Sequence, residues 1–207
     1  MRSPARPGFV ISEHAGGLQP ERLERFKRAD DRLASVAAAS IEVVHYSEIE
    51  ALDVDAIVLS GSFDPWASHD PRALDRLGEA LRAHDGPVLG ICAGMQTLVR
   101  AAGGEISAAE QPTAEGFATI DIVDGSDLLS GLEPRIDVFQ HHTDEISALP
   151  DKFRVLASSE AGAVEAVAAE DRPWWGTQLH PEMWNDEHPR GRVVVENFLR
   201  LAGIGVR

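Results

Sequence analysis

The stretch Pro87-Val88-Leu89-Gly90-Ile91-Cys92-Ala93-Gly94 constrains the fold of this chain more than any other. A short apolar run ends in a reactive side chain flanked by glycines two positions before it and two positions after it. This is the pattern of a buried strand breaking through a tight, strained turn into a helix, where larger side chains at the glycine positions would hold strand and helix apart. The turn lifts its central residue clear of the sheet. The first turn of the following helix brings N–H groups that have no intrahelical partner, and such groups favour a thiolate and stabilise an oxyanion. A buried structural thiol is the plainer alternative for Cys92, and the paired glycines favour the nucleophile.

The first half of the chain repeats the same alternation. Phe9–Ile11 reads as a short strand, and residues 20–37 read as a helix that opens on Pro20 and carries Leu23, Phe26, Leu33 and Val36 as its apolar stripe. Ile41–His45 is rich in β-branched residues. Ala56–Leu59 is a nearly continuous apolar run that ends in Ser60-Gly61-Ser62, as a buried parallel strand running into a functional loop does. Pro71 opens a helix with Leu74, Leu77, Ala80 and Leu81 on one side, and a further helix follows Cys92 from about Met95 to Ala102. The second half changes character: 118–123, 136–140, 153–158 and 163–168 are short β-like runs between turn residues. Residues 176–179 read as one more strand and 192–201 as a closing helix. The expectation is a three-layer α/β fold of flavodoxin-like type, with a mostly parallel central sheet, helices on both faces and a small additional mixed or antiparallel β layer. A chain of 207 residues suits a single domain over 1–207, with residues 1–7 as a flexible tail.

A formal net charge of -15 argues against nucleic acid or an anionic membrane surface as partners. The apolar runs are too short for a membrane span, and the N-terminus lacks the apolar core of a signal peptide. The single cysteine excludes an internal disulfide and a four-cysteine metal site and fits a cytoplasmic location. His141 and His142 lack the carboxylate and thiol neighbours a metal needs, so no metal is expected.

Gln178-Leu179-His180-Pro181-Glu182 supplies what a cysteine nucleophile requires: a base, and a carboxylate to orient it. In an extended segment residues i and i+2 face the same way, so Glu182 would hold one ring nitrogen of His180 while the other faces Cys92. Strand ends are also where open parallel sheets place their sites.

These residues together resemble the class I, triad-type glutamine amidotransferases. Ile57–Ser62 looks like the family's oxyanion loop and Gly90–Gln96 like its nucleophile elbow. His142-Thr143-Asp144 looks like its HxD segment and Gly176–Glu182 like its C-terminal histidine block, and Glu115-Gly116 resembles a further short signature. The four blocks occur in family order over roughly residues 50 to 200. The resemblance implies that Cys92 attacks the side-chain amide of glutamine, with His180 as acid and base and Glu182 as its orienter. It assigns the oxyanion hole to the backbone N–H groups of Gly61 and Ala93, and substrate binding to Gln96 and the backbone at His142 and Thr143. A γ-glutamyl thioester would be the intermediate, no cofactor would take part, and the ammonia would pass to a synthetase or transferase on a separate chain. The same triad would serve a stand-alone hydrolase of γ-glutamyl amides or peptides, and a non-catalytic binding or regulatory protein is the remaining alternative.

Three features depart from the family pattern: Ser60-Gly61-Ser62-Phe63-Asp64-Pro65 lacks the second glycine and the proline after it, Met95 stands where many members carry His, and Ser12-Glu13-His14-Ala15-Gly16-Gly17 does not resemble the opening of biosynthetic members. Trp66, beside the first loop, is a candidate pocket wall. Trp174, Trp175 and Trp184 flank the histidine block, either as packing residues or as a pocket or partner surface.

Overall fold

The computed structural model describes residues 5–51 and 53–207. Its centre is a nine-stranded sheet. Four parallel pairings build one half from β1 (Pro7–Ile11), β2 (Glu42–His45), β3 (Ala56–Leu59), β4 (Val88–Ile91) and β9 (Trp174–Thr177). The other half is antiparallel and consists of β5 (Glu105–Ile122), β6 (Arg135–Ala148), β7 (Phe153–Ser158) and β8 (Ala166–Ala169). The order β2-β1-β3-β4-β9-β8-β7-β5-β6 makes the antiparallel strands a continuation of the parallel sheet, hydrogen-bonded to it through β9, where the sequence suggests an added layer. Residues 1–4 of the expected tail lie outside the described residues, and Pro7 already belongs to β1.

The parallel strands are apolar on both faces because both faces are covered. Phe9, Val58, Leu89 and Ile91 point into a core with α1 (Pro20–Val36) and α4 (Arg190–Leu201). Val10, Ile57, Leu59 and Val88 point into a second core with α2 (Pro71–Ala83) and α3 (Ala93–Ala101). Pro71 sits at the start of α2 with the Asp70 carboxylate accepting the Arg72 N–H at 3.0 Å, a normal cap for a helix opening on proline. The buried stripe of α1 is Phe26, Ala29, Leu33 and Val36; Leu23, in the first turn, remains exposed.

The long hairpin β5–β6 replaces the two short strands that the sequence suggests. Along β6 the inward positions run Ile136, Val138, Gln140, His142, so the alternation continues after hydrophobicity ends. Its partner β5 shifts register between Ala108 and Thr113 and again between Thr113 and Gly116, bending the ribbon as β-bulges do. The hairpin thereby carries residues 141–144 back to the C-terminal ends of β3, β4 and β9. His142 and Asp144 lie within strand β6.

Candidate active site

Cys92 follows β4 directly and caps α3 with φ 52° and ψ -109°. A side chain in this region is strained by about 1–3 kcal/mol, so its neighbours must impose the conformation. The Cys92 N–H donates to the Thr177 carbonyl at 2.6 Å, and its own carbonyl accepts the Gln96 N–H at 3.1 Å. The flanking glycines are required by contact: a Cβ on Gly90 would stand 2.5 Å from the Gly94 carbonyl group, and one on Gly94 would stand 2.6 Å from the Leu59 carbonyl oxygen. Met95 packs over Gly176, where a Cβ would meet it at 2.4 Å. Cys92 is the chain's one cysteine and is free.

His180 comes off β9 with its N–H donating to the Phe139 carbonyl at 2.8 Å. Its Nδ1 lies 2.9 Å from Oε1 of Glu182, a buried carboxylate. The chain around them is not extended: Pro181–Met183 forms a single tight helical turn with Pro181 at its start, and this turn swings Glu182 back to the ring. Burial works against a charged His180, but the neighbouring Glu182 carboxylate and Cys92 thiol outweigh it and hold the imidazolium well above the ordinary histidine range. Arg32 donates to the Glu182 carbonyl at 3.0 Å and ties the turn to α1.

Gly61 closes the third side. A Cβ there would fall 2.9 Å from Cε1 of His180 and 3.4 Å from Cβ of Cys92, so this backbone is seated against both side chains. Ser60 fixes the adjoining peptide: its hydroxyl accepts from the Ser12 N–H and donates to the Gly61 carbonyl, both at 2.8 Å. Ala93 is the first residue of α3, where helical N–H groups lack an intrahelical acceptor.

The residue behind this loop is one that the sequence reading passes over. Glu13 is fully buried just beyond β1. It accepts the Phe63 N–H at 2.6 Å, the Ser62 hydroxyl at 3.1 Å and the His14 N–H at 3.0 Å. Asp64 adds His14 Nε2 at 2.7 Å and Arg22 at 2.7 Å. Glu13, His14 and Asp64 are close enough to hold a metal ion. The Arg22 guanidinium already lies 2.7 Å from Asp64 and 3.8 Å from Glu13, so the cluster has a built-in cation. Hydrogen bonding from Arg22 holds the Asp64 carboxyl below its ordinary range, with a smaller contribution from His14. The hint in the sequence was position alone: an acidic residue directly after a strand, at the end of the sheet where sites form.

Cys92, Ala93, Gln96, residues 62–66, His69 and residues 141–144 line a cavity of about 340 Å³. Its size lies at the lower end of ordinary ligand pockets. The site residues named from the sequence thus fall together: Trp66, Gln96, His142 and Thr143 all line this space, and Gly61, His180 and Glu182 line a second cavity, about 50 Å³, with Phe63, Phe139 and Met183. His142 is buried, bonded through Nε2 to the Thr113 hydroxyl at 3.0 Å, and burial pushes its pKa down, leaving the ring neutral. Gln96 has both amide hydrogens engaged within the protein, to the Asp144 carbonyl at 2.9 Å and to Gln178 Oε1 at 3.1 Å. Its oxygen accepts the Trp66 indole N–H at 2.9 Å. Gln178 stands in the histidine block that the sequence singles out, where it carries no assigned role, and its Nε2 lies 3.4 Å from the Cys92 sulfur. Trp174 and Trp175 are packing residues, the former under Arg172 and the latter edge-on to Phe198.

This arrangement has relatives. The chain is 40% identical over 157 residues to a glutamine-hydrolyzing GMP synthase subunit of Methanothermobacter thermautotrophicus, a match covering 73% of this chain and 76% of that protein. It is 40% identical over 153 residues to the subunit of the same name from Natronomonas pharaonis, covering 72% and 76%. Among solved structures, a Thermoplasma acidophilum protein described as a GMP synthase subunit superposes with a TM-score of 0.80 at 27% identity, over 97% of this chain and 96% of the other. A glutamine amidotransferase from Thermotoga maritima shares the fold, with a TM-score of 0.70 at 16% identity over 97% and 99% of the two chains. Residues 25–201 match the family Glutamine amidotransferase class-I, and the chain belongs to it.

Proposed function

We propose that this protein hydrolyses the side-chain amide of glutamine to glutamate and ammonia, using Cys92 as nucleophile, His180 as proton carrier and Glu182 as its orienter. The observation that carries this reading is the positive-φ Cys92 at the floor of a 340 Å³ cavity, with the His180–Glu182 pair, 2.9 Å apart, seated against the same Gly61 backbone. Sulfur attacks the δ-carbonyl carbon, and the oxyanion is received by the N–H groups of Gly61 and Ala93. The C–N bond breaks as His180 gives its proton to the departing amine, leaving a γ-glutamyl thioester. His180, now neutral, takes a proton from water as it attacks the thioester, and the thiol is released. The amino acid end of the substrate lies along the 141–144 wall, where His142 and Thr143 present their backbone.

The nitrogen is proposed to go to a synthetase or transferase on a separate chain. Support comes from the relatives, which are named as subunits.

The test is ammonia and glutamate release from glutamine, γ-glutamyl methylamide and γ-glutamyl peptides, by wild type and by Cys92→Ala. Turnover confined to glutamine and abolished in Cys92→Ala is the expected result. Faster cleavage of the substituted compounds would replace this reading with a γ-glutamyl hydrolase, and equal activity of the variant would end it. A rate for the isolated chain on the order of 10 per second, ordinary for an enzyme, would count against a required activating partner.

A further inference from the structure

We infer that Gln178 is a catalytic hydrogen-bond donor to the Cys92 sulfur, and that Trp66, acting through Gln96, fixes the amide orientation that makes it one. The inference rests on Cys92 being the nucleophile and extends that reading to a further group touching the reacting atom.

The direction of the chain of bonds follows from chemistry at its two fixed points. An indole N–H only donates, so the group of Gln96 that lies 2.9 Å from Trp66 Nε1 must be its oxygen. A backbone carbonyl only accepts, so the group of Gln96 that lies 2.9 Å from the Asp144 carbonyl must be its nitrogen. Both points give Gln96 the same orientation. The second hydrogen of its NH2 group then points to Gln178 at 3.1 Å, which obliges Gln178 to present its oxygen there and its NH2 group to the sulfur at 3.4 Å. Gln96 and Gln178 are both buried, at 2% exposure each, so water does not compete for these bonds. A reversed Gln178 would set two NH2 groups against each other and a carbonyl oxygen against the sulfur.

The consequence is chemical. A donor aimed at sulfur stabilises the thiolate more than the thiol, because bonds to a charged acceptor are stronger than bonds to a neutral one. Gln178 therefore adds to what His180 and the start of α3 do for the nucleophile. Trp66 is a positioning residue in this scheme. It belongs to the short helical turn Trp66–Ser68 that follows the Gly61 loop, so loop and nucleophile are joined by bonds of one fixed sense.

Alkylation of Cys92 by iodoacetamide, followed by mass spectrometry across a pH series, reads the thiolate directly, and the chain has no other cysteine. Gln178→Leu removes the donor with little change in size. Its alkylation midpoint is expected to move to higher pH, with neutral-pH alkylation about tenfold slower, the range for loss of one bond to a charged group. Trp66→Phe keeps a ring but loses the N–H, and a shift in the same direction of about threefold is expected as Gln96 becomes free to turn. Gln178→Asn, too short to span both partners, should resemble Gln178→Leu. An unchanged midpoint in a folded Gln178→Leu would overturn the proposal. If that variant does not fold, Trp66→Phe decides, and an unchanged midpoint there would equally overturn it. The readout is independent of glutamine: failure of wild type to hydrolyse glutamine would refute the proposed substrate without moving these midpoints.

Discussion

The carboxylate of Glu13 and the backbone N–H of Phe63 meet at 2.6 Å although the residues stand 50 apart in sequence. With the Ser62 hydroxyl on its other oxygen, Glu13 clamps the segment that follows Gly61 to the end of β1. The family's usual glycine and proline are absent from this loop, and buried hydrogen bonding supplies the rigidity in their place. Glu13→Ala leaves the Phe63 N–H without its acceptor and the Arg22–Asp64 pair without its buried partner. We expect about 2–4 kcal/mol of lost stability and a fall in turnover larger than the fall in substrate affinity. Thermal unfolding and steady-state kinetics measure both; unchanged turnover in a folded variant would show that the clamp serves stability alone.

Glu182 charges His180, and the sign of the effect can be read from pH. The folded-state pKa of His180 is raised, so the interaction stabilises the fold fully below the unfolded histidine value of about 6.5 and is lost as pH rises through the folded-state value. Glu182→Gln should therefore destabilise the protein more at pH 5 than at pH 9. The alkaline limb of the rate profile, set by loss of the imidazolium proton, should move to lower pH. The rate itself should drop by about 10²–10⁴, as for loss of an orienting carboxylate elsewhere. Paired denaturant titrations and pH–rate profiles test this, and an alkaline limb that stays in place would remove Glu182 as the source of the raised pKa.

Gly61→Ala probes how closely the backbone sits against the chemistry. Its new methyl would lie 2.9 Å from the His180 ring and 3.4 Å from Cys92 Cβ. The ring must give way, and a displacement near 1 Å costs about 10²-fold in rate. Because the conflict is with a side chain, the fold should lose no more than about 1 kcal/mol. Activity beside melting temperature separates the two effects; a loss of stability with normal activity would contradict this placement of Gly61.

Gly94→Ala should behave in the opposite way. Its methyl would meet the Leu59 carbonyl oxygen at 2.6 Å, a main-chain atom in the middle of the sheet. Separating α3 from β3 is expected to cost about 1–3 kcal/mol, visible in chemical denaturation. Wild-type stability would mean that strand and helix have slack that their present contact does not suggest.

The parallel half of the sheet and the nucleophile turn were legible in the sequence because their signal is local: apolar runs of strand length, and glycines at fixed offsets from Cys92. The hairpin β5–β6 was not, since its inward positions Gln140 and His142 are polar and a hydrophobic pattern ends where they begin. His180 and Glu182 were found as a pair for a reason only partly right. Their side chains meet at 2.9 Å, but a proline-led turn brings them together, not an extended strand. Glu13 and Gln178 act through contacts that close only when distant elements meet: Glu13 belongs to no sequence pattern, and Gln178, though part of the histidine block, gives no sign of its partner there. Each lies next to a feature that was noticed, at a strand end and two residues before the histidine.

Cys92 and His180 leave the sheet from adjacent parallel strands, β4 and β9, paired in register from Val88 and Trp174 to Ile91 and Thr177. The gap between Cys92 and His180 is thus ruled by strand spacing, about 4.8 Å in any sheet, and the bond from Cys92 to Thr177 carries that ruling one residue past the strand end. A sheet centre with helices on both sides is the stiffest part of such a molecule. Whatever docks at the cavity mouth can retune the loop donors and the hairpin wall, whereas the pair itself is geared to the scaffold and turns only with it.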